Sequence, residues 1–138
     1  MAYSWHFEVL LQYAPAFLNG LLTTLSLSFL SIAIATLFGV ALACLVVFSS
    51  RPLIRTFASL FVDVLRAVPV IVLIVWLFYA MPILFGIRLP PFETALLSLS
   101  LVSSGFVAEI LRGGIESIPK GQLDSAKLLG LSKLQIAF

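Results

Sequence analysis

Residues 21–48 read LLTTLSLSFLSIAIATLFGVALACLVVF, a stretch of 28 residues without a charged side chain. As an α-helix this stretch would be about 42 Å long, which exceeds the ~30 Å hydrocarbon core of a bilayer. Pro15, Asn19 and Gly20 precede it, and we expect the helix to begin only after these three residues. A secretory signal peptide is disfavoured because the first basic residue, Arg51, follows the apolar run instead of preceding it. The stretch therefore predicts a tilted transmembrane helix over 21–48.

The composition of the whole chain agrees with a membrane protein. Of 138 residues, 62% are hydrophobic and 10% are charged, whereas a soluble domain is roughly 45–50% apolar and about 25% charged. Such a chain lacks the polar side chains that a soluble enzyme needs on its surface. A net charge of +2 without a basic run argues against nucleic-acid binding. Because Cys44 and His6 are the only cysteine and histidine, an internal disulfide and a cysteine-rich or multi-histidine metal centre are excluded.

Two further apolar segments follow. An uncharged run of 21 residues between Arg66 and Arg88 predicts a second transmembrane helix over 57–82, which Pro69 should bend or shorten near its start. A serine-rich third helix is predicted over 92–112, because serines suit a helix face that packs on protein. The predicted fold is all-α, with three transmembrane helices and a segment, 113–138, that does not span the membrane.

The distribution of basic residues predicts the orientation. Arg51 and Arg55 lie between the first two predicted spans, and only Arg88 lies between the second and third. Four more basic residues come at or after the end of the third span: Arg112, Lys120, Lys127 and Lys133. Because cytoplasmic loops are enriched in Lys and Arg, we expect the loop 49–58 and the C-terminal segment in the cytoplasm and the N-terminus outside.

Small residues recur at every fourth position in two of the predicted spans. The first span carries Ser31, Ala35, Gly39 and Ala43, and the third carries Ser100, Ser104 and Ala108. In lipid such stripes let helix backbones approach closely, so we expect both helices to pack against protein. Chance in a sequence rich in Ala and Ser is the alternative.

The segment 113–138 has a different character. The pair Gly113–Gly114 is expected to turn the chain out of the membrane. Pro119 suits the first turn of a short amphipathic helix, and Gly130 suits its C-terminal end with a positive φ. Ser132 is placed to cap a second helix that would run through 133–138. The first helix is too short to span a membrane and needs a partner for its apolar side.

Two strings in the chain resemble the permeases of ABC transporters. The first is EILRGGIESIPKGQ over 109–122 followed by DSAKLLG over 124–130, which together resemble the coupling motif of that family. The family carries E-A-A-x-x-x-G there, and Asp124 stands in the place of the glutamate. Residues 66–69, RAVP, are similar to the R-G-T-P string at the start of the family's second span. The nearest resemblance is to importers of polar amino acids of the histidine/glutamine/arginine type, and it extends from about Gly20 to Phe138.

Two departures from the family pattern stand out. Residues 101–109 read LVSSGFVAE, with Val102 where the family commonly has an asparagine. Family permeases also have about five spans and an I-x-L-P string about ten residues beyond Gly130, whereas this chain stops at Phe138. We therefore expect the chain to correspond to the N-terminal part of a five-span permease that continues past the coupling helices.

The resemblance implies a permease subunit of an importer with two permease subunits, two ATPase subunits and an external solute-binding protein, in a bacterial inner membrane. ATP would be bound by the ATPase, so that this chain needs no cofactor; it has no G-x-x-x-x-G-K-[ST] phosphate loop and no set of side chains for catalysis, which predicts that it is not an enzyme. The residues implied in ATPase coupling are Lys120, Gly121, Gln122, Leu123, Asp124, Ser125, Ala126 and Gly130. The alternative for this segment is an amphipathic helix that rests on lipid headgroups.

The charged residues near the predicted cytoplasmic side suggest a second site. Asp63 and Arg66 are three residues apart on one helix, as are Glu109 and Arg112 on another. The simpler interpretation is interfacial ion pairs. The more specific hypothesis places Arg66, Pro69, Glu109 and Arg112 near the gate of a transport path.

Two other classes of function remain open at this point. A small channel or secondary carrier would be expected to have a mid-span charge or an internal repeat, and the sequence has neither. A membrane scaffold subunit would have no transport role. Co-purification of a cytoplasmic ATPase separates the permease hypothesis from both.

Overall fold

The structure, a computed structural model, describes residues 13–119, 121, 122, 125 and 128–130. Four helices make up this part of the chain: α1 (Ala14–Phe48), α2 (Pro52–Ala67), α3 (Val70–Phe85) and α4 (Pro91–Glu116). Helices α1 and α4 are each long and apolar enough to cross a membrane, and α2 with α3 supplies a third candidate span if the bent pair counts as one. The predicted all-α, polytopic membrane fold is confirmed.

Helix α1 begins seven residues earlier than the sequence predicts. It starts at Ala14 and includes Pro15 in its first turn, where the missing N–H of proline leaves no intrahelical bond unmade. The hydroxyls of Thr23 and Thr24 donate to the carbonyls of Asn19 and Gly20, both at 2.9 Å. The expectation that these residues keep the helix from starting was therefore wrong, and α1 is about 52 Å long.

The segment predicted to form the second span folds as two helices. Helix α2 ends at Ala67, Val68 is extended (φ −85°, ψ 121°), and α3 starts after Pro69 at an angle of 95° to α2. Proline disfavours the helical conformation in the residue before it, and its ring nitrogen has no hydrogen to donate. The Pro69 carbonyl accepts hydrogen bonds from the N–H groups of Val72 and Leu73 and so opens α3. The disruption at Pro69 was expected, but a single helix over 57–82 was wrong.

Helix α4 continues past its predicted end. Gly113 and Gly114 are both helical, which contradicts the predicted turn at this pair. Glycine lowers helix propensity by about 1 kcal/mol but does not end a helix by itself. The helix ends at Glu116, and the Ser117 hydroxyl donates to the Gly114 carbonyl at 2.7 Å before Pro119 prevents a further turn.

The close packing of α1 on α4 confirms the prediction from the small-residue stripes. All seven stripe residues are buried: Ser31, Ala35, Gly39, Ala43, Ser100, Ser104 and Ala108. A Cβ atom added at Gly39 would lie 2.6 Å from the Val107 Cβ and 2.9 Å from the Ser104 carbonyl oxygen. The Ser104 hydroxyl donates to the Leu101 carbonyl of its own helix at 2.7 Å, so its burial leaves no unpaired polar atom.

Helices α1 and α4 run in the same direction. Gly39 lies against Ser104 and Val107, and Ala43 lies in one cluster with Ala108, so residue numbers increase together along the two helices. The chain must therefore return between them. Helix α2 stays near the end where α1 and α4 finish, because its Val62 belongs to the cluster of Ala43 and Ala108. Helix α3, about 24 Å long, makes the return and matches the ~26 Å of α4 from Pro91 to Ala108.

We predict that Gly39→Val destabilises the fold and Gly39→Ala does so by less. The added carbons would overlap Val107 and the α4 backbone, and overpacking of this kind costs about 1–3 kcal/mol. The free energy of unfolding in detergent micelles measures the effect. Gly20→Ala is the matched control on the same helix, because its Cβ meets nothing within 4 Å. Equal stability of Gly39→Val and the unmodified chain would show that α1 and α4 do not need this contact.

Candidate coupling segment and ion-pair cluster

An ion-pair cluster lies on α4 near the end where α2 crosses it. The Arg112 guanidinium donates two hydrogen bonds to the Glu109 carboxylate, from Nη2 at 2.6 Å and from Nε at 2.9 Å. It also donates from Nη1 to Glu116 Oε2 at 2.5 Å. The three residues share one face of α4 because they are three and four positions apart. Arg112 therefore bridges two carboxylates along the last turns of the helix, and its planar fork gives the Glu109 pair a defined geometry.

Arg66 joins this cluster from α2. Its Nη1 lies 3.7 Å from Glu109 Oε1 and 3.9 Å from Asp63 Oδ1. Its Cζ lies 5.8 Å from the centroid of the Phe106 ring, within the range of a cation–π contact. In the part of the chain that the structure describes, Arg66–Glu109 is the one ion pair that connects two helices. Because about a third of each of these side chains is exposed, a pair of this kind contributes little free energy.

A glycine on α4 brings Arg66 within reach of Glu109. A Cβ at Gly105 would lie 3.0 Å from the Leu65 Cβ and 3.2 Å from the Arg66 Cγ. The backbone of α4 therefore touches the last turn of α2, one turn before Glu109. Sequence reasoning did not identify Gly105 or Phe106 as part of this site. A glycine beside Ser104, in the middle of an otherwise apolar span, was the available signal.

The four predicted gate residues divide between the cluster and the helix break. Arg66, Glu109 and Arg112 lie together in the ion-pair cluster. Pro69 lies three residues beyond Arg66, at the junction of α2 and α3. The structure adds Glu116 as a carboxylate partner of Arg112, which the sequence analysis did not include.

The segment after α4 presents an exposed helical turn. The N–H of Gln122 donates to the Pro119 carbonyl at 2.9 Å, and the N–H of Leu129 donates to the Ser125 carbonyl at 3.1 Å. Gly130 has φ +75°, as predicted. Leu128 is 89% exposed, and the other described residues of this segment from Gly121 onward are also exposed. The predicted coupling residues Lys120, Leu123, Asp124 and Ala126 lie outside the described residues, as do Ser132 and the helix predicted over 133–138.

A positive φ at Gly130 costs a side chain about 1 kcal/mol or more, which is the physical reason for a glycine there. No atom of the described residues lies within 4 Å of the position that its Cβ would occupy. The space around the turn is therefore open to a neighbouring surface.

Residues 35–138 match the family model described as "Binding-protein-dependent transport system inner membrane component". The chain belongs to this family. The matched range includes most of α1, all of α2, α3 and α4, and the exposed segment that follows.

Named relatives of the chain are permeases. It is 33% identical over 133 residues to the "Putative glutamine transport system permease protein GlnP" of Rickettsia bellii, and the aligned region covers 94% of this chain and 61% of the relative. It is 32% identical over 125 residues to the "Arginine transport system permease protein ArtQ" of Bacillus subtilis, and the aligned region covers 91% of this chain and 57% of the relative. The chain thus spans about three fifths of the length of these permeases.

A solved structure has the same fold. A chain in the "Crystal structure of an amino acid ABC transporter with histidines" is similar with a TM-score of 0.87 at 32% identity, over 97% of this chain and 62% of the other. The similarity of nearly the whole chain supports the arrangement of α1 to α4 as a permease fold.

We predict that Glu109→Gln destabilises the fold more than Arg66→Gln. Loss of the Glu109 charge leaves two guanidinium groups close together without their shared carboxylate, whereas loss of Arg66 leaves the Arg112–Glu109 bonds intact. We expect the Arg66→Gln change to cost less than about 1 kcal/mol because the pair is partly exposed. The free energy of unfolding in micelles, measured for both variants and for the double variant, gives the coupling.

Asp63→Asn is the control for this comparison, because Asp63 is more exposed and lies 3.9 Å from Arg66 on its own helix. If Arg66→Gln proves as costly as Glu109→Gln, Arg66 and not Arg112 is the main partner of the carboxylate.

Proposed function

We propose that the chain is part of the permease subunit of an ATP-binding-cassette importer that moves polar amino acids inward. The observation that carries the proposal is the family match over 35–138, which includes the exposed segment beyond α4. The relatives named as glutamine and arginine transport permeases support a polar amino acid as the solute.

The partners follow from this assignment. A separate ATPase subunit docks on the segment 113–131, a second permease subunit completes the path, and an external solute-binding protein delivers the solute. The chain itself performs no catalysis, and ATP binds to the ATPase. No part of the assembly requires nucleic acid, while membrane lipid surrounds the apolar faces.

The exposed segment is suited to contact an ATPase. Leu128 and Leu129 are 89% and 79% exposed, and apolar side chains at this level of exposure favour a protein partner. None of the described residues fills the space at the Cβ position of Gly130, which allows a close approach of the partner's surface to the backbone. The coupling contacts are proposed for Lys120, Gly121, Gln122, Leu123, Asp124, Ser125, Ala126 and Gly130.

Helix α4 transmits the movement of the docked ATPase. It is continuous from Pro91 to Glu116 and packs closely on α1, so that a push on its C-terminal end moves the two helices together. Arg66 connects this pair of helices to α2 through Glu109. The break at Pro69 then allows α3 to change its angle, which makes Arg66, Pro69, Glu109 and Arg112 the proposed gate.

The basic residues support an N-terminus outside the cytoplasm. Helices α1 and α4 run in the same direction, so their C-terminal ends share one side, where Arg51, Arg55 and Arg112 lie. Arg88 lies in the loop that connects α3 to α4 at the other side. Under the positive-inside rule the side with more arginines is cytoplasmic, and the location is the bacterial inner membrane.

A pull-down tests the proposed function directly. A membrane extract purified through a tag on the chain is expected to contain a cytoplasmic ATPase, and the pair Leu128→Asp and Leu129→Asp is expected to release it because both side chains lie at the proposed interface. Ser50→Asp and Thr56→Asp, at exposed polar positions on a different surface, form the control. Recovery of the chain without an ATPase would favour a channel or a scaffold subunit.

A substitution at Gly130 tests the coupling step. In the assembled transporter, Gly130→Val is expected to abolish ATP-driven uptake of labelled glutamine or arginine, and Gly130→Ala to reduce it less, because φ +75° is least favourable for a β-branched residue. Membrane insertion should be unchanged, as measured by the amount of protein in washed membranes.

Gly113→Ala is the matched control for Gly130, since Gly113 is helical and a Cβ there meets nothing within 4 Å. Normal uptake by Gly130→Val at normal expression would show that the turn is not needed for coupling.

A further inference from the structure

Helix α2 has three distinct faces, although it is only 16 residues long. One face is buried against the other helices: Ala58, Val62 and Leu65. A second is polar: Arg55, Ser59, Asp63 and Arg66. A third is apolar and exposed: Leu53, Phe57, Leu60, Phe61 and Val64. A helix with this division is typical of one that lies in a membrane interface, with one face in water and another in lipid.

The position of α2 in the bundle agrees with that orientation. It lies at 95° to α3, and its Val62 contacts the cluster of Ala43 and Ala108, both near the ends of their helices. Helix α3 is by itself about as long as the part of α4 between Pro91 and Ala108. The chain can therefore return to the start of α4 through α3 alone, and α2 is not needed to cross the membrane. It runs across the end of the bundle.

An apolar groove separates α1 from α2. It has a volume of about 600 Å³, and its walls include Leu42 and Leu45 of α1 with Leu53, Phe57 and Phe61 of α2. Leu42 and Leu45 lie about 9 Å and 4.5 Å before the end of α1, so the groove lies on the side of α2 that faces the middle of α1. Leu53 and Phe57 are 84% and 74% exposed there.

Two arginines lie at the N-terminal end of α2, where they flank the groove residues Leu53 and Ile54 in the chain. Both are exposed; Arg51 is the extended residue that precedes the helix, and Arg55 lies in its first turn. Neither has an ion-pair partner among the residues that the structure describes, whereas Arg66 and Arg112 each contact two carboxylates. Helix α1 has no charged residue at all. Within the described residues, the chain on either side of Leu53 and Ile54 therefore carries two positive charges that no carboxylate pairs with.

We propose that α2 lies in the cytoplasmic membrane interface and binds an anionic phospholipid, with an acyl chain in the groove and the phosphate at Arg51 and Arg55. An apolar groove with two cations next to its residues Leu53 and Ile54 in the chain is complementary to a ligand with a long hydrocarbon chain and a negative head. The cytoplasmic leaflet supplies such lipids, and each arginine near it contributes roughly 1 kcal/mol, or about fivefold in affinity. The inference rests on the orientation given under the proposed function, in which this side of the bundle is cytoplasmic, and it does not depend on the transported solute or on the ATPase.

Nitroxide labels test the orientation of α2 in liposomes, with the chain and its co-purifying subunits in a Cys44→Ser background. Labels at Phe57→Cys and Leu60→Cys are expected to collide with oxygen, and labels at Thr56→Cys and Asp63→Cys with a water-soluble nickel chelate. Accessibility should therefore alternate around the helix. A steady change from residue 53 to residue 64 would mean that α2 crosses the membrane at depth, and it would overturn the interfacial orientation.

Fluorescence quenching tests the bound lipid. The reporter is Phe57→Trp in a background of Trp5→Phe and Trp76→Phe, and the probes are phosphatidylglycerol and phosphatidylcholine with brominated acyl chains, in nanodiscs. Phosphatidylglycerol is expected to quench more strongly at equal mole fraction. The preference should fall about fivefold in Arg51→Gln and about 25-fold in the double variant with Arg55→Gln.

Arg88→Gln is the matched control, because it removes an arginine from the loop at the other end of α3 and should keep the preference. Equal quenching by the two lipids would overturn the proposal. Absence of quenching by either lipid would overturn it as well, since protein and not lipid would then occupy the groove.

Discussion

The close approach of α1 and α4 is the contact on which the rest of the structure depends. At Gly39 no side chain fits between the helices, because a Cβ there would lie 2.6 Å from Val107. Apolar surface gains nothing by leaving lipid for protein, so helices in a membrane associate through such van der Waals packing and through hydrogen bonds. The serines of α4 suit this contact, since they are small and their hydroxyls bond to the preceding turn of their own helix. Close packing with no unpaired polar atom is the result.

The parallel direction of α1 and α4 determines what the connecting segment must do. The chain has to return across the bundle between Phe48 and Pro91. The break at Val68–Pro69 divides this segment into two helices. Helix α3 makes the return, and α2 packs across the end of the bundle. Proline at the junction permits the 95° angle because the extended backbone of Val68 is the conformation that a following proline favours. Gly105 then lets the last turn of α2 touch α4.

The ion-pair cluster and the packing have different roles. The backbones of α2 and α4 approach closely at Gly105, and Arg66 and Glu109 form an ion pair between the same two helices. A partly exposed ion pair contributes little free energy, but it is geometrically specific. Such a link suits helices that change position during a cycle, because it can be broken and remade at low cost. Buried apolar packing, as at Gly39, is suited to parts that move together.

The sequence by itself determined the membrane class, the all-α fold, the two packing stripes and the left-handed turn at Gly130, because hydropathy, helical spacing and the steric freedom of glycine are local properties. It did not determine where helices start or stop: α1 begins before Pro15, and α4 continues through Gly113 and Gly114. Glycine and proline disfavour the interior of a helix by about 1–3 kcal/mol. Their position in the helix and contacts with neighbouring residues can remove or offset this cost. Only the tertiary structure decided that α1 and α4 run in parallel, that α2 crosses their end, and that Arg66 meets Glu109. These facts depend on the direction of each helix and on contacts between residues that are about 20 to 70 positions apart, which no periodicity in the chain encodes.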